Sequence, residues 1–404
     1  MRTLRCPQTT ASGSGFIFRG CSCRTWLPLG SVTDSFTYLD AASAEPLHPA
    51  AREVLLSAAE QGYADPRRLH RPARNAGLLL ENAREVVAQA LGVRRDEVLF
   101  TSSGTAAVQA GLLGLGSRGI AHSAVEHQAV LDAAAWSPRS PVVELGVDHE
   151  ARVDVEEVRH VVRAGEVDVV ALQQANHEVG TLQPLEEVHA VLGEGRGDVR
   201  LFVDAGASMG RLPLPDVGDT IAGSARKWGG PGGVGVLVVR KRASWRNPFP
   251  GDPWARTDLG FTNVAGALAA AAALQAVVAE RDEVNARQHE LVSLVRERVR
   301  AEVPDVDVAG PAEDRLPHLV TFSALYVDGE ALVTALDRLG AGVASGSACT
   351  SDTRQPSRVL AAMGALTHGN VRLSVTRDTT REDVERVLDA LPGIVKDLRA
   401  EAGL

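Results

Sequence analysis

Lysine is nearly absent from this chain. Of 42 basic residues only Lys227, Lys241 and Lys396 are lysines; the rest are arginines. Arginine keeps its charge at any ordinary pH, so only three side-chain amines could lose a proton and act as nucleophiles. Cysteine is also scarce: Cys6, Cys21 and Cys23 lie in the first 23 residues and Cys349 stands alone downstream. That excludes a disulfide framework and makes a reducing cytoplasm the expected location. Cys21 and Cys23 are too few and too close for a zinc site, and no metal is expected. Positive charge does not prevail: the net charge is −9, which argues against a nucleic-acid partner or an anionic membrane surface. Long apolar runs are missing too. The alanine-rich stretch from Ala265 to Val278 is short and continues into charged sequence, so no membrane partner is expected.

What is present suits a large α/β protein. The 404 residues are too many for one simple core and predict two or more domains. Residues 1–36 are rich in Ser, Thr, Gly and Arg, and the first acid is Asp34. They read as a disordered N-terminal extension, either dispensable or a transit peptide. From Tyr38 onward short β-branched runs alternate with helical periodicity. Strands are expected at Glu97–Thr101, Val167–Leu172, Arg200–Asp204, Thr220–Gly223 and Val234–Val239. Helices are expected at Ala50–Gln61, Gly77–Leu91, Ala106–Leu115, Leu185–Leu192 and Thr262–Val303. This rhythm predicts a mostly parallel sheet with helices on both faces. The last helix connects to a smaller C-terminal α/β unit. That unit has strands at His318–Ser323 and Asn370–Thr376, helices at Gly329–Leu339 and Arg381–Leu398, and a loop at Ala341–Ser357. Thr380-Arg-Glu-Asp opens its final helix as a capping pattern.

In open α/β sheets ligands gather at the carboxyl ends of strands, and the polar residues of this chain fall there. Thr101-Ser-Ser-Gly-Thr105 leads into an apolar helix, which makes it a phosphate cup or an ordinary helix cap. Asp204 closes Leu201-Phe-Val-Asp; it is either a turn acid or the anion that keeps a pyridinium nitrogen protonated. Lys227 follows the strand in Ser224-Ala-Arg-Lys-Trp-Gly-Gly-Pro, either as a lysine in a glycine turn or as the amine of a covalently held cofactor. His127 starts an apolar helical stretch, where a capping or core histidine is the plain alternative. Arg372 alternates with apolar residues and could clamp a carboxylate or make a structural ion pair. Cys349 sits among small residues in Ala344-Ser-Gly-Ser-Ala-Cys-Thr-Ser, a setting for a reactive thiol rather than a packed one. Assembled, these parts describe a pyridoxal-phosphate enzyme acting on an amino acid whose side chain a cysteine attacks.

From about Tyr38 to Leu398 the chain resembles the cysteine desulfurases of the class V aminotransferase group, the type that serves iron–sulfur assembly. The resemblance is carried by Ala124-Val-Glu-His-Gln-Ala-Val-Leu, Ala175-Asn-His-Glu-Val-Gly-Thr-Leu-Gln-Pro, Val203-Asp-Ala, Ser224-Ala-Arg-Lys-Trp-Gly-Gly-Pro, Thr262-Asn-Val-Ala-Gly and the Cys349 string. It implies a fold-type I transferase: a seven-stranded, mostly parallel large domain over 51–265, with a connecting helix and small C-terminal domain over 266–404. Residues 37–50 would pack with the small domain. It further implies pyridoxal 5′-phosphate joined to Lys227, His127 stacked on its ring and aiding proton transfer, and Asp204 at its ring nitrogen. Gly104, Thr105, Ser224 and Arg226 would hold the phosphate, with Arg226 standing where the group usually has a histidine. Asn176 would contact the cofactor's phenolic oxygen and the substrate carboxylate, and Arg372 would bind the carboxylate of L-cysteine. Cys349 would take the sulfur as a persulfide and hand it to an acceptor protein, and the chain would be a homodimer. Ala207 replaces a glutamine of the pattern, and Phe261 a threonine. The alternatives are another lyase of the same group, such as a selenocysteine lyase, an epimerase, or a sulfur-relay scaffold with weak turnover.

Overall fold

The computed structural model describes residues 36–403, apart from 117, 196–197, 250–261 and 346–355. The N-terminal extension, Phe261 and Cys349 therefore lie outside the described residues. In chain order the elements begin with β1 (Thr37–Tyr38), α1 (Pro49–Gln61), α2 (Arg71–Leu91), β2 (Val98–Thr101), α3 (Gly104–Leu113), β3 (Gly119–Ser123), α4 (Gln128–Trp136) and β4 (Val142–Leu145). Then come α5 (Val155–Ala164), β5 (Val167–Gln173), α6 (Leu185–Leu192), β6 (Arg200–Asp204), β7 (Thr220–Ser224), β8 (Gly235–Val239) and α7 (Val264–Glu302). The chain finishes with β9 (Val306–Ala309), β10 (Leu319–Ala324), α8 (Gly329–Arg338), β11 (Ala341–Gly342), α9 (Arg358–Ala362), β12 (Asn370–Ser374) and α10 (Arg381–Glu401).

Seven strands form the large sheet in the order β2-β8-β7-β6-β5-β3-β4. All run parallel except β8, which is antiparallel to both its neighbours. The central strands are apolar at successive positions because both faces are covered. On one face Leu99, Val169, Ala171, Phe202, Ala222 and Leu237 pack with α3 and α4. On the other, Val98, Val170, Leu201, Val203, Ile221 and Val236 pack with α1, α2, α5, α6 and the first half of α7. Alternation along each strand thus feeds two cores. A three-stranded antiparallel sheet, β12-β10-β9, builds a further core with the second half of α7, α8 and α10.

The N-terminal segment ties these parts together. β1 pairs in parallel with β11, and Leu39 is fully buried in the core of the small sheet. Further along, Glu45 accepts from Arg211 Nη2 at 2.7 Å and from the Arg377 backbone N–H at 3.0 Å. Both members of the Glu45–Arg211 pair are almost fully buried. At the far end, Thr380 caps α10 with Asp383 in a reciprocal capping box, the pattern expected from the sequence.

One expectation needs correction. The alanine-rich stretch is part of a 39-residue helix, α7, and an 18-residue window of it is apolar enough to cross a bilayer by length and composition. Within the fold its apolar residues have a different use: Ala267, Ala269, Ala270, Ala271, Ala273 and Leu274 are buried in the core beneath α1 and α2. Small side chains there let the helices approach closely.

Removing one partner of a buried ion pair strands the other charge, which costs about 3–5 kcal/mol. Glu45→Ala is expected to destabilise the protein by an amount of this order, read as a lowered midpoint in denaturant unfolding with an unchanged slope.

Candidate active site

β2, β3, β5, β6 and β7 point their carboxyl ends at one rim of the sheet, where β8, running the other way, begins. A cavity of about 200 Å³ opens at that rim. Gly104, Thr105, His127, Asp204, Ser224, Arg226 and Lys227, seven residues singled out in the sequence, all line it. Ser102 and Ser103, part of the string read as a phosphate cup, line it too, as do Gly206 and Gly233, which were given no role.

Each residue reaches the cavity for a local reason. Ser103 caps α3 by accepting from the Ala106 N–H at 3.0 Å, and like any helix start α3 presents N–H groups without intrahelical partners that can take an anion. Two glycines allow a close approach of the elements here. A Cβ at Gly104 would lie 2.5 Å from Ser224 Cβ, and one at Gly235 would lie 2.2 Å from the Ser103 carbonyl oxygen. The α3 start, the end of β7 and the start of β8 therefore meet closely enough to form a cradle of small groups. After Ser224, residues Ala225–Lys227 make a single 3₁₀ turn. Trp228, 1% exposed, pins that turn by donating from Nε1 to the Ala270 carbonyl of α7 at 3.1 Å. Lys227 is half-buried, and Arg226 is exposed with a guanidinium that donates to the Ser43 carbonyl. Asp204 is buried, and its carboxylate accepts from the Gly206 N–H at 2.7 Å.

His127 is the N-cap of α4; its Nδ1 accepts from the Ala129 N–H at 3.1 Å. Burial lowers its pKa, Lys227 and Arg226 lower it further, and Asp204 and Asp132 act the other way. The ring meets His177 edge to face, with centroids 5.0 Å apart and planes at 68°. His177 was quoted in the sequence motif but given no role. Burial first, then His127, Lys227 and Arg372, hold it neutral well below the usual range.

Asn176 and Arg372 do not line the cavity. Asn176 is fully buried; its Oδ1 accepts from the Glu178 and Val179 N–H groups at 2.8 Å, and its Nδ2 donates to the Val125 carbonyl at 3.2 Å. Arg372 is buried beside the cavity. It donates from Nη2 to Asp40 Oδ1 at 3.0 Å and Ser43 Oγ at 2.7 Å, and from Nη1 to the His177 carbonyl at 3.1 Å. Ala207 packs against the small cluster of Ala42, Ala175, Leu316 and Leu319. Cys349 lies outside the described residues, but the chain on either side of its segment is tied to this region. Ala344 bridges the backbone of Arg372, and Ser357 Oγ donates to Glu178 Oε2 at 2.6 Å.

The donor set suits pyridoxal phosphate: an anion cradle of small residues, an amine on a pinned turn and a buried carboxylate share one cavity. No group of three or more His, Cys, Asp or Glu able to hold a metal occurs among the described residues.

Comparisons with known proteins agree. The model of the family described as aminotransferase class-V matches residues 37–387. A protein named cysteine desulfurase IscS from Dictyoglomus turgidum is 32% identical over 377 residues, 90% of this chain and 95% of that protein. A Mycobacterium tuberculosis protein named IscS-like cysteine desulfurase is 34% identical over 90% of this chain and 98% of its own length. A solved structure named as a NifS-like protein superposes with a TM-score of 0.81 at 27% identity, covering 90% of this chain and 100% of that one.

Glu126, next to His127, is fully buried and accepts from the Gln173 N–H at 2.9 Å. Burial raises its pKa well above the ordinary carboxyl range; the Gln173 bond lowers it and Asp204 raises it. The folded state therefore holds this proton more tightly than the unfolded state. The resulting stability is complete below the ordinary range and is lost as pH rises through the folded-state value. Glu126→Gln, uncharged and of the same shape, is expected to flatten that decline, measured by denaturation midpoints of both proteins across pH.

Proposed function

The chain belongs to the class V aminotransferase family, and we propose that it is a cysteine desulfurase, a pyridoxal-phosphate enzyme that takes L-cysteine to L-alanine and passes the sulfur to an acceptor. The observation that supports this most is the meeting of Lys227, Asp204, His127 and the α3 N-terminus in one cavity.

When bound, pyridoxal phosphate supplies an electron sink for the amino acid's α-carbon. The residues of this chain do the rest. Lys227 supplies the amine that holds the cofactor, and its Nζ, when neutral, is placed to move a proton in the cavity. The Asp204 carboxylate favours a protonated ring nitrogen. The α3 N–H groups, Ser224 and Arg226 would hold the phosphate. The resemblance assigns the carboxylate clamp to Arg372, which lies outside the cavity lining, steadied by Asp40, Ser43 and the His177 carbonyl. In the overall exchange the C–S bond of L-cysteine breaks, an S–S bond forms to an acceptor thiolate, and the alanine methyl takes the proton. No external oxidant or reductant is consumed. The acceptor thiol we assign is Cys349, on the strength of its sequence setting and the ties of Ala344 and Ser357 to the Arg372 region.

The proposal extends to a homodimer in a reducing cytoplasm that hands sulfur to a scaffold or carrier protein of iron–sulfur assembly. Its support is the resemblance of the motifs for the dimer and the acceptor, and the scarcity of cysteine for the compartment. The names of the relatives do not favour a selenocysteine lyase, another lyase, an epimerase or a scaffold without turnover.

Lys227→Ala is expected to abolish the cofactor absorbance band and to reduce turnover on the order of 10³-fold or more. Cys349→Ser is expected to keep the band and lose sulfide release from L-cysteine by a similar factor. Absorbance spectra and sulfide assays of the two variants check this; turnover retained by Cys349→Ser would remove that residue from the reaction.

A further inference from the structure

His127 has two ring nitrogens, and the fold has already committed one. Its Nδ1 lies 3.1 Å from the backbone nitrogen of Ala129. A backbone N–H can only donate, so Nδ1 must present its lone pair. In a neutral imidazole the single proton then sits on Nε2, because the bond made by one nitrogen sets the state of the other. Protonating the ring would put a second hydrogen on Nδ1, directly against the Ala129 N–H, and would also cost α4 its N-cap.

The neighbours act in the same direction. Lys227 and Arg226, on the turn after β7, face the ring with positive charge, and His177, after β5, covers it edge to face. Asp204 at the end of β6 and Asp132 on α4 are the opposing charges. Glu126, the preceding residue, is buried and held toward its neutral form. His177 is 9% exposed, its Nδ1 has no hydrogen-bond partner among the described residues, and its Nε2 lies 3.7 Å from Glu178 Oε1. Its carbonyl is the acceptor for Arg372 Nη1. The imidazole of His177 therefore fills the space between the cavity histidine and the arginine without carrying charge. Asn176 is held elsewhere, its Oδ1 by the Glu178 and Val179 N–H groups and its Nδ2 by the Val125 carbonyl.

We propose that the Ala129 amide locks His127 as the Nε2–H tautomer and that His177 is the positioning residue that holds the ring in that bond. His127 can then donate a hydrogen bond in the cavity but has no lone pair with which to take a proton. Proton movement at this site falls to Lys227 Nζ. This rests on the reading of the cavity as the pyridoxal-phosphate site and changes the role the resemblance implies for His127.

The test is ¹⁵N nuclear magnetic resonance of the holoenzyme carrying ¹⁵N-histidine, with the His127 signals identified by their loss in His127→Gln. The expected result is a protonated Nε2 and an unprotonated Nδ1 that do not titrate from about pH 6 to about pH 8. A protonated Nδ1, or an imidazolium within that range, would overturn the proposal. In His177→Ala the His127 signals should broaden or titrate at higher pH, while His177→Phe, which restores an edge-on ring, should return them to the wild-type pattern. If both variants match wild type, His177 is not the positioning residue. Turnover is measured separately: protein with the expected tautomer but no sulfide release counts against the desulfurase reading alone, and an active enzyme with the other tautomer counts against this proposal alone.

Discussion

Burial of Trp228 fixes the position of Lys227. A lysine on a glycine-rich loop would ordinarily sweep a wide volume, and a reactive amine must not. Here the next side chain is sealed in the core and hydrogen-bonded to Ala270 of α7. The 3₁₀ turn is closed by Trp228 and Gly230 N–H bonds to the Ala225 carbonyl, and the Glu45 N–H takes the Arg226 carbonyl at 2.8 Å. Three residues around the lysine are thereby tied to different layers: Ala225 to Val234 just before β8, Arg226 to the N-terminal segment and Trp228 to α7. The amine is presented by a rigid support whose stability comes from apolar burial outside the site.

The cavity itself combines concentrated positive charge with groups that burial keeps neutral. Lys227, Arg226 and Arg372 surround two imidazoles whose pKa values are pushed down, while Glu126 nearby is pushed up. Among the described residues Asp204 is the carboxylate lining the cavity, and a backbone N–H holds it at the strand end.

Much of this was legible in the sequence because it depends on short-range pattern. Strand–turn strings ending in Asp204 and Ser224 announce themselves by β-branched runs followed by polar residues, and α6 and the α10 capping box follow directly from periodicity and cap chemistry. What was not legible depended on contacts far apart in the chain. β3, Gly119–Ser123, has one β-branched residue and was passed over, since its burial between β4 and β5 makes it a strand. α5, Val155–Ala164, was missed although its Asp154 cap and amphipathic pattern are local signals, whereas α9 has only five residues. The motif Asn176-His177 could not say which side chain faces the cavity histidine; the answer came from backbone groups of Glu178 and Val179 claiming the asparagine. Likewise Arg372 reads as a clamp from its strand, but its pairing with Asp40 spans 332 positions.

Helix α7 runs through both halves of the fold: Leu268 to Leu274 belong to the core under the large sheet, and Leu291 to Val299 to the core under the small one. An α-helix turns by about 100° and advances about 1.5 Å with each residue. One amino acid added or deleted between these two stretches would swing the small sheet, and Arg372 with it, by more than a quarter of a revolution around the shaft. The interval from Leu274 to Leu291 is therefore fixed in length although many of its side chains face water.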